Sequence, residues 1–216
     1  HVAWCWKESA TAGFDIVSWT GDGSAGTKSH NLSAIPKTIW VKERSNATNW
    51  AIYHQGTGNE DFLKFNTNAD IEDTDNWNDT TPTSSVFSLG GGGQTNTSSR
   101  TYIAYVFANV QGYSKFGTYI GNGNANGEFV NTGFRPAFLI LKRYGTTGSW
   151  FMFDNKRLGY NVDNERLFID ETNAEADTDC LDLLSNGFKI RNNDGDYNSS
   201  GGTYIFMAFA EAPFVN

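Results

Sequence analysis

Tyr204-Ile205-Phe206-Met207-Ala208-Phe209-Ala210 is an apolar, aromatic run of strand length, and the chain carries it twice more, as Tyr102-Ile103-Ala104-Tyr105-Val106-Phe107-Ala108 and as Val2-Ala3-Trp4-Cys5-Trp6-Lys7. A strand that returns about once per hundred residues marks an internal repeat. Working outward, Pro36-x5-Lys42-x7-Trp50-x2-Tyr53 and Pro136-x5-Lys142-x7-Trp150-x2-Phe153 stand at a constant offset of 100 residues. The repeat divides the chain into residues 1–12, the closing strand of a preceding unit, then a first repeat over 13–111 and a second over 112–216. His1 then opens inside a unit, as in a piece of a longer polypeptide or a chain trimmed at a unit boundary.

Each repeat reads as about six strands. Phe14 to Thr20 ends at Gly21-Asp22-Gly23, and Tyr113 to Ile120 ends at Gly121-Asn122-Gly123; glycine there permits a tight turn. Strands follow each proline, at Thr38 to Lys42 and Phe138 to Lys142, a place that needs no ladder donor. Their hairpin partners are Trp50 to Tyr53 and Trp150 to Phe153. Shorter strands are expected at Phe62 to Phe65, Val86 to Leu89, Leu167 to Ile169 and Phe188 to Ile190. Apolar residues nowhere keep helical spacing beyond two turns, and Ala174 to Leu184 could form one short helix at most. The expected fold is all-β, two similar tandem β-sandwich, jelly-roll-like repeats; pooling of both repeats into one larger sandwich is the alternative.

The 216 residues are 38% hydrophobic and 15% aromatic, with 23 Gly and only 19% charged, the balance of aromatic strands joined by polar turns. A net charge of −8 repels phosphate backbones and anionic lipid, so neither nucleic acid nor membrane is an expected partner. No run approaches the ~18 apolar residues of a spanning helix, and no signal-peptide pattern opens the chain. Cys5 and Cys180 have no metal or redox spacing and read as buried thiols.

Several strands are apolar on both faces, most plainly Ala137 to Leu141, Trp150 to Phe153 and Tyr204 to Ala210, whereas a sheet with one wet face alternates. Something covers the second face. Tyr204, Phe206 and Phe209 are therefore expected at a unit or oligomer contact, and Trp19, Trp40, Trp50 and Trp150 in cores or unit contacts.

Chemistry is thinly signalled. Trp77, within Asp75-Asn76-Trp77-Asn78-Asp79, together with Tyr160 and Tyr197, sits among polar residues, as aromatics that stack on sugar faces do. These three are the candidate glycan contacts. Asn192-x-Asp194-x-Asp196 and Asp70-x-Glu72-Asp73-x-Asp75 alternate oxygen donors, so Asp194 and Asp196 could hold calcium; no other cofactor is implied. The string Glu175-Ala176-Asp177-Thr178-Asp179 is similar to the alternating carboxylates of concanavalin-fold glycosidases, but Cys180 and Leu181 stand where the second glutamate belongs. His1 with His30 or His54 would be needed for a copper brace, and His54 aligns with Asp154. No catalytic residue is assigned.

The repeat as a whole resembles a tandem domain of predicted structural proteins of marine bacteriophages, of the cyanophage and Pelagibacter-phage type, often described as tail-fibre or concanavalin/LamG-like. The likeness rests on Val2 to Lys7, Gly13 to Gly23, Trp77-Asn78-Asp79-Thr80-x-Pro82-Thr83-Ser84-Ser85-Val86-Phe87, Gly112 to Gly117, Gly133 to Ala137 and Gly202 to Glu211. It implies a non-enzymatic virion component of a tail fibre, spike or decoration, extracellular, in contact with copies of itself or other virion proteins and with host-surface glycans. A secreted carbohydrate-binding module is the alternative, and a glycosidase the third reading.

Overall fold

A computed structural model describes residues 2–157, 161 and 165–211. The first repeat folds as β1 Phe14–Thr20, β2 Gly26–Ser29, β3 Thr38–Glu43, β4 Ala51–His54, β5 Gly58–Lys64, β6 Glu72–Asp73, β7 Val86–Leu89 and β8 Thr101–Phe107. The second folds as β9 Ser114–Ile120, β10 Phe129–Asn131, β11 Phe138–Tyr144, β12 Trp150–Asp154, β13 Glu165–Phe168, β14 Ala176–Asp177, β15 Leu181–Leu184, β16 Gly187–Ile190 and β17 Thr203–Phe209. The fold is all-β and sandwich-like. A 3-10 turn at Asp75–Trp77 and one helical turn, α1, at Gly195–Asn198 complete the described elements.

In the first repeat the large sheet runs β1-β8-β3-β4-β5-β6 and a small sheet pairs β2 with β7. In the second, the large sheet runs β9-β17-β11-β12-β13-β14, and β10, β16 and β15 form the small one. Each closing strand, β8 or β17, thus lies between the first and third strands of its repeat. The two closing strands differ in burial: β17 is buried on both faces, whereas β8 alternates, with Ile103 and Tyr105 half-buried on the face away from the core. The two prolines occupy one topological place: Lys37 N–H donates to Phe107 O at 2.7 Å and Ala137 N–H to Phe209 O at 2.8 Å.

Each repeat closes its own core between its large and small sheets. Ile39, Val41, Tyr53, Tyr102, Ala104 and Val106 meet Phe87 and Leu89 in the first. Leu139, Leu141, Phe151, Tyr204 and Phe206 meet Phe188, Ile190, Leu181 and Leu183 in the second.

Two compact units result. One comprises Trp6–Asn66 and Ile71–Asn109; the other comprises His1–Cys5, Thr67–Asp70 and Val110–Asn216. Thr67–Asp70, placed in the first repeat by sequence, therefore belongs to the second unit.

Several expectations are corrected. Among the described residues the repeats have eight and nine strands: β2, β6 and β14 hold almost no apolar residues, and β10 and β15, of three and four residues, are too short to show a period. Ala174 to Leu184, expected to form one short helix at most, holds the unexpected strands β14 and β15. Val2 to Lys7 has the closing-strand pattern but pairs with no strand among the described residues; Trp4 instead packs on Phe138, ring centroids 5.1 Å apart. Cys5 is exposed, while Cys180 is buried, and burial pushes its thiol up to about 12.

Candidate functional site

Side chains alternate across a strand, so the residues of β1, β8 and β3 that do not enter the first core stand together on the opposite face. Ile16, Tyr105 and Trp40 are cross-strand partners in one row. Around them Trp6, Phe14, Trp50, Phe65 and Phe107 complete an apolar cleft of about 370 Å³. Its rings are mutually fixed: Trp40 lies 5.2 Å from Phe65 and 4.7 Å from Phe107, and Trp50 lies 6.2 Å from Tyr105. The Trp40 indole N–H donates to Thr38 Oγ1 at 3.0 Å, which sets the ring's orientation. Ile16 is 38% exposed, and Trp6, Trp40, Trp50, Phe65 and Tyr105 are half-buried.

Trp50 also lines a second, polar cleft of about 760 Å³ with Lys42, Glu43, Arg44, Asn46, Ala47, Thr48, Asn49 and Asn66. The Trp50 backbone N–H donates to Asn66 Oδ1 at 3.0 Å, and Asn66 Nδ2 donates to Asn49 Oδ1 at 2.9 Å. Lys42 Nζ donates to Thr48 O. Burial alone would raise the Glu43 carboxyl, but hydrogen bonds from Asn46 and Arg100 outweigh it and hold the group below its usual value. An aromatic wall that continues into fixed amides and charges is suited to a ligand with one apolar face and many hydroxyls.

The corresponding corner of the second repeat is filled. Trp150 is fully buried, and its N–H donates to Asp170 Oδ1 at 3.0 Å, as Trp50 does to Asn66. Thr67–Asp70 lies over it: Gly148 N–H donates to Asn68 O at 3.0 Å and Gly145 N–H to Asp70 Oδ1 at 2.7 Å. Lys142, also fully buried, donates to Gly148 O and, at 3.4 Å, to Asn68 O. Burial brings its ammonium down to about 8, against the opposing pull of Asp170 and Asp70.

The residues singled out from sequence lie elsewhere. Trp77 is 2% exposed and packs edge-on against Tyr53 at 5.8 Å in the first core, so it presents no ring face to a sugar. The 3-10 turn is closed by the Asn78 backbone N–H donating to Asp75 O, while the indole turns inward. Tyr197 is fully buried against Phe151, with its hydroxyl accepting from Arg166 Nη1 at 2.6 Å; burial raises that hydroxyl's pKa. Tyr160 lies outside the described residues.

Asp194 and Asp196 are engaged in local structure: Asp194 caps α1 by accepting from the Asp196 N–H at 2.9 Å, and Asp194 N–H bonds Asn192 Oδ1 at 3.3 Å. Such Asx bonds account for the alternating oxygens. Among the described residues no three His, Cys, Asp or Glu side chains gather in a metal-binding group. His30 contacts Thr83 O at 3.1 Å, and His54 Nδ1 accepts from Gly56 N–H at 3.0 Å. Glu175 accepts from Arg157 Nη1 at 2.7 Å.

Tyr204 and Phe206 face the core of their own unit, where Tyr204 stacks on Tyr119 at 4.8 Å. This corrects their placement at a contact. Phe209 lies on the opposite face against Phe116 and Phe138, at 5.4 and 5.9 Å.

The sequence places Trp40 and Trp50 in cores or unit contacts and does not mark the other cleft residues as a site. The usable signal is the difference between copies, since Ile140 and Met207 stand where the first repeat has Trp40 and Tyr105. Over residues 1–213 the chain matches a family described as Domain of unknown function (DUF7483). No curated protein and no solved structure matches.

Proposed function

The chain belongs to the DUF7483 family, and with that as premise we propose that it is a non-enzymatic structural and adhesive module of a phage virion appendage that contacts host-surface glycans. The observation that carries the adhesive half is the aromatic cleft, joined through Trp50 to a polar one. A pyranose presents axial C–H groups that stack on indole faces, and its hydroxyls exchange hydrogen bonds with amides and charged groups at the rim. The contact therefore moves from the buried Trp77 and Tyr197 to Trp40, Trp50 and Tyr105. The virion half rests on the phage-like repeat pattern.

Mass spectrometry of purified particles tests the location. The parent polypeptide is expected at structural-protein abundance in the particle. Its recovery only from the particle-free medium would instead support a secreted carbohydrate-binding module, which the same cleft would serve.

A further inference from the structure

The two repeats carry near-identical tetrapeptides, Thr67-Asn68-Ala69-Asp70 and Thr172-Asn173-Ala174-Glu175, which share Thr-Asn-Ala and end in a carboxylate. Each stands in the same topological place, on the link between the paired strands β5 and β6 or β13 and β14. Their surroundings differ. Thr67–Asp70 fills the corner at Lys142, Gly145, Gly148 and Trp150, whereas residues 172–175 are all exposed. The corners differ in the complementary way: Trp150 and Lys142 are fully buried, while Trp50 and Lys42 are only half-buried and line an open cleft.

We propose that the open corner of the first repeat receives the Thr172–Glu175 segment of a second copy of this chain, in the manner that the filled corner receives Thr67–Asp70. The filled corner defines the contacts. Asn173 O takes the place of Asn68 O at the lysine ammonium, here Lys42, which already caps Thr48 O as Lys142 caps Gly148 O. Glu175 takes the place of Asp70, whose carboxylate accepts from the Gly145 N–H; Ser45 is the residue at that position in the first repeat. Charge agrees with this occupant: Lys42 and Arg44 line the cleft beside Glu43, whose carboxylate is paired with Arg100, while Glu171 precedes the segment and Glu175 ends it.

Segment and cleft are different surfaces, so the contact is heterologous and each copy keeps one unused segment and one unused cleft. Such contacts build rings or open chains instead of stopping at two-fold dimers. One tetrapeptide in one cleft is far smaller than a standard interface, so a single contact has a Kd of about 0.1–1 mM, strengthened where copies are tethered in one appendage. The inference does not depend on the sugar reading.

Sedimentation velocity on the whole chain up to about 1 mM tests it, with Ala47→Glu on the cleft side and Ala174→Arg on the segment side; both positions are exposed. The wild-type mass average is expected to climb with concentration beyond a dimer. Ala47→Glu sets like charge against Glu175, and Ala174→Arg sets it against Lys42 and Arg44, so each alone should weaken association at least about tenfold. An equimolar mixture should associate again. A chain that stays monomeric throughout, or variants that associate as the wild type does, would overturn the proposal. Ala174→Arg lies outside both clefts of the first repeat, so sugar titrations on that variant keep the two readings apart.

Discussion

Asn198→Ala is expected to destabilise the second-repeat unit by about 3 kcal/mol, from three hydrogen bonds at ~1 kcal/mol each. The side chain is fully buried; its Oδ1 accepts from the Asn122 N–H at 2.8 Å, and the two N–H groups of its Nδ2 are shared among Asn122 Oδ1 at 3.0 Å, Asn124 O at 2.7 Å and Asn192 O at 2.9 Å. The Asn198 carbonyl also accepts from the Gly123 N–H at 2.9 Å, so one residue pins two loops. Truncation removes these bonds at once and leaves a void at a fully buried position; the half-buried Asn192 O loses its donor, while the exposed Asn122 and Asn124 regain water. The first repeat has the same device in Asn96, bonded to Asp22 Oδ1, Ser24 O and Gly90 O.

Gly121→Ala should be comparably damaging for a different reason. A methyl group there would sit 2.4 Å from Ser199 O, and at the equivalent Gly21 it would sit 2.2 Å from Thr97 O. Urea midpoints read by hydrogen exchange of the β17 amides check both. A loss under about 1 kcal/mol for Asn198→Ala would mean that water replaces the amide without penalty.

Stability should rise between pH 8 and 10, by about 2–3 kcal/mol, because of Lys142. In the folded chain this ammonium gives up its proton at about 8, against 10.5 for an unhindered lysine. Between those values the unfolded chain holds more protons than the folded one, and stability climbs with pH wherever that is so. Below pH 8 both states are charged, and burial of the charge is felt in full. Above about pH 10 the buried Tyr119 and Tyr197, whose hydroxyls are pushed upward by burial, act in the opposite sense and close the window. Denaturant titrations from pH 7 to 10 on wild type and Lys142→Met measure the slope. The wild type should gain stability and the variant should not; parallel curves would place Lys142 in contact with solvent.

Much of the fold was legible because repetition supplies its own alignment. The constant offset of the Pro-Lys-Trp pattern located β3, β4, β11 and β12, and the Tyr-Ile runs located the central strands. Short strands such as β6 and β14, two residues each, were not legible, since their pairing depends on neighbours brought together by the hairpins. The site was barely legible. A polar sequence context does not decide which way an aromatic ring points, and the 3-10 turn swings the Trp77 indole inward although Asn and Asp surround it. Strand aromatics such as Trp40 are equally ambiguous, because a period of two places them on a face without saying whether that face is covered. Val2 to Lys7 shows the limit from the other side. Its closing-strand pattern is intact, but strand formation needs flanking partners, which β1 and β3 supply to β8 and nothing described supplies here.

The central claim is that the first repeat keeps an open aromatic cleft to stack on sugars. It is tested most directly by saturation-transfer NMR on the whole chain, with a panel of glucan, mannan, chitin and lipopolysaccharide-derived oligosaccharides, beside Trp40→Ala. Transfer to the C–H face of at least one panel member, lost in Trp40→Ala with an affinity drop of about tenfold to a hundredfold, is the predicted result. No transfer from any member, or transfer that persists unchanged in Trp40→Ala, would contradict it.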